Sequence, residues 1–177
     1  MKKIICLLLC AARVLGVAGC MRQTPETAIH NYFKEIKKTV TLTLNLKVDS
    51  EQSLAVVEKF FENFSYEIAG IQEDGEDKAF ATLKIHNIDT GTAVKNTLTE
   101  YFAFALTTIF HPLSDEEMEA KFYEIFLNHL NKAEMITKDV VLEMHYVNDK
   151  WEINMTEAIA DTIIGGFTTY MDYNIFD

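Results

Sequence analysis

Two hairpin patterns constrain the fold of this chain more than any other feature of its sequence. Phe64–Gln72 and Lys78–Ile88 alternate apolar and polar residues on either side of Glu73-Asp74-Gly75-Glu76, and an Asp-Gly pair at such a point is typical of a tight turn. Thr137–Val147 and Lys150–Met155 repeat this arrangement around a second short turn. Period-two alternation gathers the apolar side chains on one face, so we predict an antiparallel sheet of about four strands with one face covered by helices.

Capping signals predict helices beside the hairpins. Thr24-Pro25-Glu26 begins a helix that runs to about Lys38, and Asp49-x-x-Gln52 begins a second helix. Thr39–Val48, which separates the two, alternates Val and Leu with mostly Thr, and we predict a further strand there. Helices combined with antiparallel hairpins predict an α+β domain.

A longer helix is predicted to begin at Asp89 or Thr90 and to end at His111-Pro112, because a residue before proline is biased out of the helical region. Its apolar residues recur at helical spacing, and we predict that they form a buried face: Val94, Leu98, Tyr101, Phe102, Ala105 and Ile109. Ser114 begins a further helix with a capping box. The last predicted helix covers about Glu157 to Tyr170 and is interrupted by Gly165-Gly166.

The N-terminal segment has a pattern of its own. Lys2-Lys3 precedes the apolar run Ile4–Ala12, and Val17, Ala18 and Gly19 stand directly before Cys20. A charged start, a short apolar stretch and small residues before a cysteine resemble the signal segment, with its lipobox, of bacterial lipoproteins. The resemblance implies cleavage before the cysteine, acylation of its thiol with chains such as palmitate, and a lipid-anchored position on the extracytoplasmic face of the cell membrane.

Two other interpretations of this segment compete with the lipoprotein signal. A retained transmembrane anchor needs about 20 consecutive apolar residues, and this run is shorter and is followed by Arg13. An ordinary secretory signal also ends in small residues, but it does not require a cysteine there. Cys6 and Cys10 would leave with the signal, so acylation of Cys20 would leave the mature chain without a free thiol.

The predicted mature chain has the size of one domain and an acidic charge. We predict a signal over residues 1–19, a lipidated tether over 20–24 and a single domain over 25–177. Loss of the signal removes 3 of the 16 Lys and Arg residues and none of the 27 Asp and Glu residues, which leaves 158 residues with a formal charge of −14. Phosphate binding needs clustered Lys and Arg, so the acidity argues against a nucleic-acid partner.

Six short stretches carry a resemblance to known proteins. They are Phe64-Ser-Tyr-Glu-Ile, Glu73-Asp-Gly, Ala81-Thr-Leu-Lys-Ile-His-Asn-Ile-Asp89, Asp115-Glu-Glu-Met, Asp149-Lys-Trp-Glu-Ile153 and Ala160-Asp-Thr-Ile-Ile-Gly-Gly-Phe167. Together they resemble a family of uncharacterised Firmicutes lipoproteins whose domain is similar to the cystatin-like cone of the nuclear-transport-factor-two-like superfamily. The resemblance covers roughly Pro25–Phe167, implies that fold and the membrane location, and brings no catalytic motif. Family members are helical where Thr39–Val48 alternates, so a strand there would be an addition at the sheet edge, and whether this stretch is a strand or a helix stays open.

Aromatic residues provide one candidate binding site. Phe60, Phe102, Phe126 and Phe167 could line a pocket at the mouth of the cone, where this architecture often holds ligands. Asp161, an acid in a mostly apolar helix, would belong to the same pocket as a partnered structural acid or as a catalytic one. The competing interpretation is that these rings are the packed core of a domain of this size.

Polar side chains on the predicted strands provide a second candidate. Strand parity places six of them opposite the apolar face: Lys84, His86, Glu143, His145, Glu152 and Asn154. If the strands are neighbours, these groups could form an acid–base or metal cluster. The alternative is a solvated face with cross-strand Lys–Glu pairs. Cys20 is the only cysteine of the mature chain, which excludes thiolate metal sites, and we predict neither a metal nor a cofactor.

These features favour a non-enzymatic binding or interaction module, anchored to the membrane by acyl chains on Cys20 and directed at a small ligand or a protein. Two alternatives stay open. One is an isomerase- or dehydratase-like enzyme that uses a pocket in the cone, which rests on fold analogy alone. The other is a structural homodimer that pairs through an apolar patch on the sheet face.

Overall fold

A four-stranded antiparallel sheet organises the protein, for which a computed structural model describes residues 22–47 and 51–170. The strands are neighbours in sequence order: β1 (Ser65–Asp74), β2 (Lys78–Ile88), β3 (Met135–Val147) and β4 (Lys150–Asn154). Helices cover one face of the sheet and solvent reaches the other. The predicted α+β domain with two hairpins is confirmed.

The turns of both hairpins adopt the left-handed backbone that their residues favour. Asn148 and Asp149 have φ values of 51° and 63°, which suit the two-residue turn between β3 and β4. Gly75 has a φ of 76° between β1 and β2. β1 also contains a bulge, because Ile68 pairs with Leu83 whereas Gly70 pairs with Thr82. The extra residue resets the strand so that Ile68 and Ile71 both pack against the core.

The helices begin and end where capping residues are found. They are α1 (Pro25–Lys47), α2 (Glu51–Glu62), α3 (Thr90–Thr107), α4 (Asp115–Asn131) and α5 (Glu157–Ile163), followed by a 3-10 helix (Phe167–Tyr170). Asp89 caps α3 by accepting a hydrogen bond from the Thr92 amide at 2.9 Å. The predicted capping box of α4 is present, since Ser114 and Glu117 bond to each other's backbone amides. The cap predicted at Asp49 lies outside the described residues.

The predicted strand over Thr39–Val48 is wrong. Helix α1 continues through Lys47, and Val48 itself lies outside the described residues. Ile36, Val40 and Leu44 also recur at helical spacing, so the local pattern is compatible with both structures. Extending a helix that has already formed requires no new nucleation, and Thr or Val costs less than about 0.7 kcal/mol relative to Ala.

The helices and the inner face of the sheet enclose one hydrophobic core. Leu83 of β2 and Leu142 of β3 are fully buried from the sheet side, and Phe33 and Ile163 are buried from the helix side. Among the described residues, the core cluster contains residues from Ala28 to Phe167. None of the helices in the described part of the chain combines the length and apolar character needed to cross a membrane.

A buried amide connects three elements at the end of β2. The Asn87 Nδ2 atom donates to the carbonyl oxygens of Phe60 (3.1 Å) and Ile163 (2.7 Å). Its Oδ1 atom accepts from the Ile88 amide at 2.8 Å. Both amide hydrogens and the side-chain oxygen are hydrogen-bonded inside the protein, as expected for a polar group that is 1% exposed. The bonds hold the C-terminal ends of α2 and α5 against the sheet.

The last predicted helix is divided into two parts. α5 ends at Ile163, and Gly165 and Gly166 follow with φ values of 73° and 83°, which only glycine adopts at little cost. The carbonyl oxygen of Gly165 accepts hydrogen bonds from the backbone amides of Thr90 (3.1 Å) and Gly91 (3.2 Å). The first turn of α3 is therefore joined to this glycine pair.

Candidate functional site

Three of the aromatic residues predicted to line a pocket pack against each other in the core. The ring centroid of Phe60 lies 5.2 Å from that of Phe167 and 6.4 Å from that of Phe126, and the last two are 5.9 Å apart. All three side chains are 5% exposed or less. Phe102 is 47% exposed on α3 and does not share this environment. The four rings therefore belong to two different places, a buried cluster and a surface.

Asp161 has structural partners. Its Oδ1 atom accepts hydrogen bonds from the backbone amide of Thr168 at 2.6 Å and from the Thr168 hydroxyl at 2.5 Å. Its backbone carbonyl accepts from the Gly166 amide at 2.8 Å. The carboxylate thus closes the turn between α5 and the 3-10 helix. This geometry matches the partnered acid that was one of the two interpretations of this residue.

The polar side chains predicted on the sheet share one face but lie at two separate positions. Glu143 pairs in register with Asn154, and His145 pairs with Glu152. His86 instead lies opposite Thr137, whose hydroxyl is 2.8 Å from the His86 Nδ1 atom. Eight residues of β3 separate Thr137 from His145, a distance of about 27 Å along the strand. Lys84 and His86 are therefore distant from Glu143 and His145, although all four lie on the same face.

Around Glu143 the face carries an ion pair. The Lys78 Nζ atom lies 2.7 Å from a Glu143 carboxylate oxygen, and the His145 Nε2 atom lies 3.4 Å from the same oxygen. The hydrogen bond from Lys78, helped by one from Asn154, lowers the pKa of Glu143, and the same bond raises the pKa of Lys78. Both side chains are about one-third exposed. Such a pair stabilises a solvated sheet face and is not by itself a catalytic device.

The described residues hold no metal cluster, and the cavity beside β4 is small. Across residues 22–47 and 51–170, no three His, Asp or Glu side chains come together as a metal site requires. A cavity between the start of α1 and β4, lined in part by Tyr32, Trp151 and Glu152, measures about 20 Å³. That volume suits about one water molecule.

The described chain begins against the turn between β3 and β4. The Arg22 guanidinium lies 4.3 Å from the Tyr146 ring centroid and 5.9 Å from the Trp151 ring, which is cation–π geometry. Arg22 follows Cys20 by two residues, so these two positions can be at most about 7 Å apart along the chain. This contact, which the sequence pattern did not predict, places the start of the described chain at the turn end of the sheet.

Among the residues whose burial is described, the largest group of exposed apolar side chains surrounds the connection between α3 and α4. We call this group the tip, and it consists of Phe102, Leu106, Ile109, Phe110 and Leu113. Phe110 is 87% exposed, and the least exposed member, Leu113, is 38% exposed. The predicted buried face of α3 is therefore correct for Val94 but wrong for Phe102 and Ile109.

Helices α3 and α4 form a hairpin whose interior contacts keep it closed up to the tip. The Tyr101 and Phe122 rings meet edge to face with centroids 5.4 Å apart. Near the tip the Lys121 ammonium lies 5.7 Å from the Phe104 ring centroid. Further from the tip, the His129 Nε2 atom lies 2.9 Å from a Glu100 carboxylate oxygen. The tip is thus the end of a supported element.

The hairpin joins the sheet at the end remote from the tether. Its root is the point where the Asp89 amide donates to the Glu134 carbonyl at 2.8 Å, beside the start of β3. The Arg22 contact lies at the other end of β3, on Tyr146, and the strand between these ends spans about 36 Å. The two helices pack mainly against each other, α2 and the 3-10 helix. The tether and the hairpin therefore arise from opposite ends of the domain.

Comparison with known proteins adds one distant similarity. No protein-family model matches the chain, and no curated protein matches its sequence. Among solved structures, the chain is similar to a protein of Bacillus subtilis that is provisionally classed as a lipoprotein (ycdA), with a TM-score of 0.47 and 13% sequence identity. The match covers 82% of this chain and 50% of that protein, so the chain spans about half its length. A similarity at this level assigns neither a fold family nor a function.

Proposed function

We propose that this protein is a lipoprotein, anchored by acyl chains on Cys20 to the extracytoplasmic face of the cell membrane, that acts as a protein-interaction module. The observation that carries the interaction role is the tip, with five large apolar side chains exposed at the end of a supported hairpin. The anchoring role rests on the signal pattern of residues 1–20. Each part has its own test.

The anchor and the fold fit together geometrically. Arg22 is already in contact with Tyr146, so the tether between Cys20 and the domain is short. A single acyl chain gives only marginal membrane binding, whereas two or more hold a protein almost permanently. A lipidated Cys20 would hold the turn end of the sheet next to the bilayer. The root of the hairpin would lie about 36 Å away along β3.

The tip supports an interaction role because its apolar side chains are not buried against the rest of the described protein. Burying a Leu or Phe side chain contributes roughly 1.5–3 kcal/mol, and Leu106 and Phe110 leave most of that free energy unused. Exposed apolar side chains are common singly, but a contiguous group of them marks a binding surface. Phe102 and Leu106, four residues apart on α3, begin a stripe that Phe110 continues past the end of the helix.

The anchor is tested with the full chain in a bacterial host that processes lipoproteins. Metabolic labelling with an alkyne analogue of palmitate should label the wild-type protein, and Cys20→Ser should abolish both the label and retention in the membrane fraction. Label that persists in Cys20→Ser, or a wild-type protein that is released unlabelled into the medium, would reject lipidation at this residue.

The interaction role is tested by photo-crosslinking in the same cells. A photoreactive phenylalanine analogue at position 110 should give a discrete protein adduct that is identified by mass spectrometry. The matched control carries the analogue at position 141, since Val141 is also exposed (56%) but lies on the open sheet face. Equal adducts at both positions, or none at position 110, would contradict a role for the tip.

A further inference from the structure

We infer that the tip inserts into an apolar groove, rimmed by basic side chains, on a partner protein. The inference rests on the proposed function and adds the chemistry of the partner. It follows from three observations: the arrangement of the apolar side chains, the sign of the charges around them, and the position of the hairpin root relative to the tether.

The apolar side chains of the tip are strongly exposed at the end of the hairpin. Phe110 is the most exposed (87%), and Leu106 and Ile109 are 67% and 62% exposed. The backbone at this point is held, because the Thr108 amide donates to Ala105 at 3.1 Å and the Thr108 carbonyl accepts from His111 at 3.0 Å. An apolar groove on a partner would bury such an exposed end most completely. Aromatic side chains seated in such pockets contribute a large share of the binding energy in protein interfaces.

The charges around the tip are mostly negative, and Lys121, whose ammonium lies near the Phe104 ring, is paired with Glu124 at 2.7 Å. The 25 residues from Asn96 to Ala120 contain five acids and neither lysine nor arginine. Asp115, Glu116 and Glu119 are exposed at the start of α4, directly beside the tip. Charge complementarity therefore favours a partner whose groove is bordered by Lys and Arg.

The same charges disfavour two other binding partners for the tip, a second copy of this chain and an anionic membrane. A second copy would bring acidic groups against acidic groups, and like charges across an interface cost free energy. An anionic bilayer would repel them for the same reason. The hairpin also begins at the end of the sheet remote from Arg22, so insertion into the membrane that holds Cys20 would require the tip to reach back past the whole sheet.

The test uses the fragment 20–177 with Cys20→Ser, which contains the whole described core. The probes are fluorescent 14-residue amphipathic peptides, because an apolar helix stripe bordered by lysines is the simplest imitation of a basic-rimmed apolar surface. We expect the Leu/Lys peptide to bind. A Leu/Glu peptide and a Ser/Lys peptide should each bind at least about tenfold more weakly, since one lacks the charge and the other the apolar stripe.

Paired variants separate the two contributions. Leu106→Ser with Phe110→Ser should weaken binding of the Leu/Lys peptide at least about tenfold. Glu116→Lys with Glu119→Lys should weaken it severalfold at low salt and much less at high salt. The charge-matched control is Glu67→Lys with Glu73→Lys, two exposed acids of β1, which should leave binding unchanged. Equal losses in the two charge variants would overturn the inference.

Sedimentation and vesicle flotation test the excluded occupants. The fragment should sediment as a monomer and should not float with vesicles of phosphatidylglycerol and phosphatidylcholine. A dimer that Phe110→Ser disperses, or flotation that the same substitution abolishes, would replace the inferred partner with a second copy or with the membrane. Failure of the charge dependence while position 110 still crosslinks in cells would overturn only this inference. Absence of the crosslink would overturn the proposed function itself.

Discussion

Replacement of Gly165 by alanine should destabilise the fold more than the same exchange at Gly70 or Gly75. A Cβ atom at this position would lie 2.1 Å from the Ile88 carbonyl oxygen, far inside van der Waals contact, and 3.1 Å from two side-chain atoms of Thr90. The opposing atom is backbone in β2 and cannot rotate away. The backbone of Gly165 also has a φ of 73°.

The expected loss can be estimated from its parts. The left-handed backbone costs a residue with a Cβ about 1–2 kcal/mol. Relief of the clash requires Gly165 and Ile88 to separate, which strains the hydrogen bonds from Thr90 and Gly91 to the Gly165 carbonyl, each contributing about 0.5–1.5 kcal/mol. We therefore expect Gly165→Ala to lower the free energy of unfolding by about 2–5 kcal/mol, a large part of the stability of an ordinary domain.

Gly75→Ala is the matched control for the clash. Gly75 has nearly the same φ, 76°, but the nearest atom to its added Cβ is 3.9 Å away. It should lose only the backbone contribution, about 1–2 kcal/mol. Urea unfolding of both variants can be followed by the fluorescence of Trp151, the single tryptophan of the chain. Losses that agree within about 1 kcal/mol would refute the packing argument, because the clash at Gly165 would then add nothing to the backbone cost that both positions share.

Three further predictions concern the other sites. Asp161→Ala should lower the free energy of unfolding by about 1.5–3 kcal/mol per lost charged hydrogen bond to Thr168, and a loss below 0.5 kcal/mol in urea unfolding would contradict the structural role. An NMR titration should place the pKa of Glu143 below its ordinary value, and Lys78→Met should raise that pKa. Because folding lowers this pKa, the ionised carboxylate contributes to stability at a pH above the ordinary pKa of a glutamate. That contribution is lost as the pH falls through the pKa of the folded state. Phe110→Ser should change the free energy of unfolding by no more than about 0.5 kcal/mol, and a larger loss would mean that the exposed ring packs within the monomer.

The sheet was predictable from sequence because its signals are local and agree with each other. β2 occupies the predicted range, Lys78–Ile88, and β3 and β4 differ from prediction by at most two residues at an end. Alternation fixes which side chains face the core, and the turn residues fix where the chain reverses. The bulge in β1 had one local signal, Gly70, because an isolated glycine inside a strand pattern often marks a bulge.

The failure at Thr39–Val48 has a different cause. Two periods fit the same residues there, and the choice between them depends on whether a helix already extends from Pro25. The candidate clusters failed similarly. Parity placed Lys84 and Glu143 on one face of the sheet. Only the register shows that Lys84 lies opposite Asp139, whereas Lys78 lies opposite His145 and so close to Glu143. Register between β2 and β3 is a non-local property that neither strand encodes alone.

The tip shows why helical spacing cannot distinguish a buried face from a binding face. Val94, Leu98 and Phe102 recur every four residues on α3, yet Val94 is buried, Leu98 packs partly against the core and Phe102 is half exposed. The spacing is constant along α3, but only the first half of the helix packs against the hydrophobic core. An apolar stripe that continues beyond the core stays exposed to water, so the free energy of burying it is gained only when another surface covers it. The position of Ile109-Phe110 next to His111-Pro112 was the available sequence signal, because two large apolar residues at a predicted helix end have no core to reach.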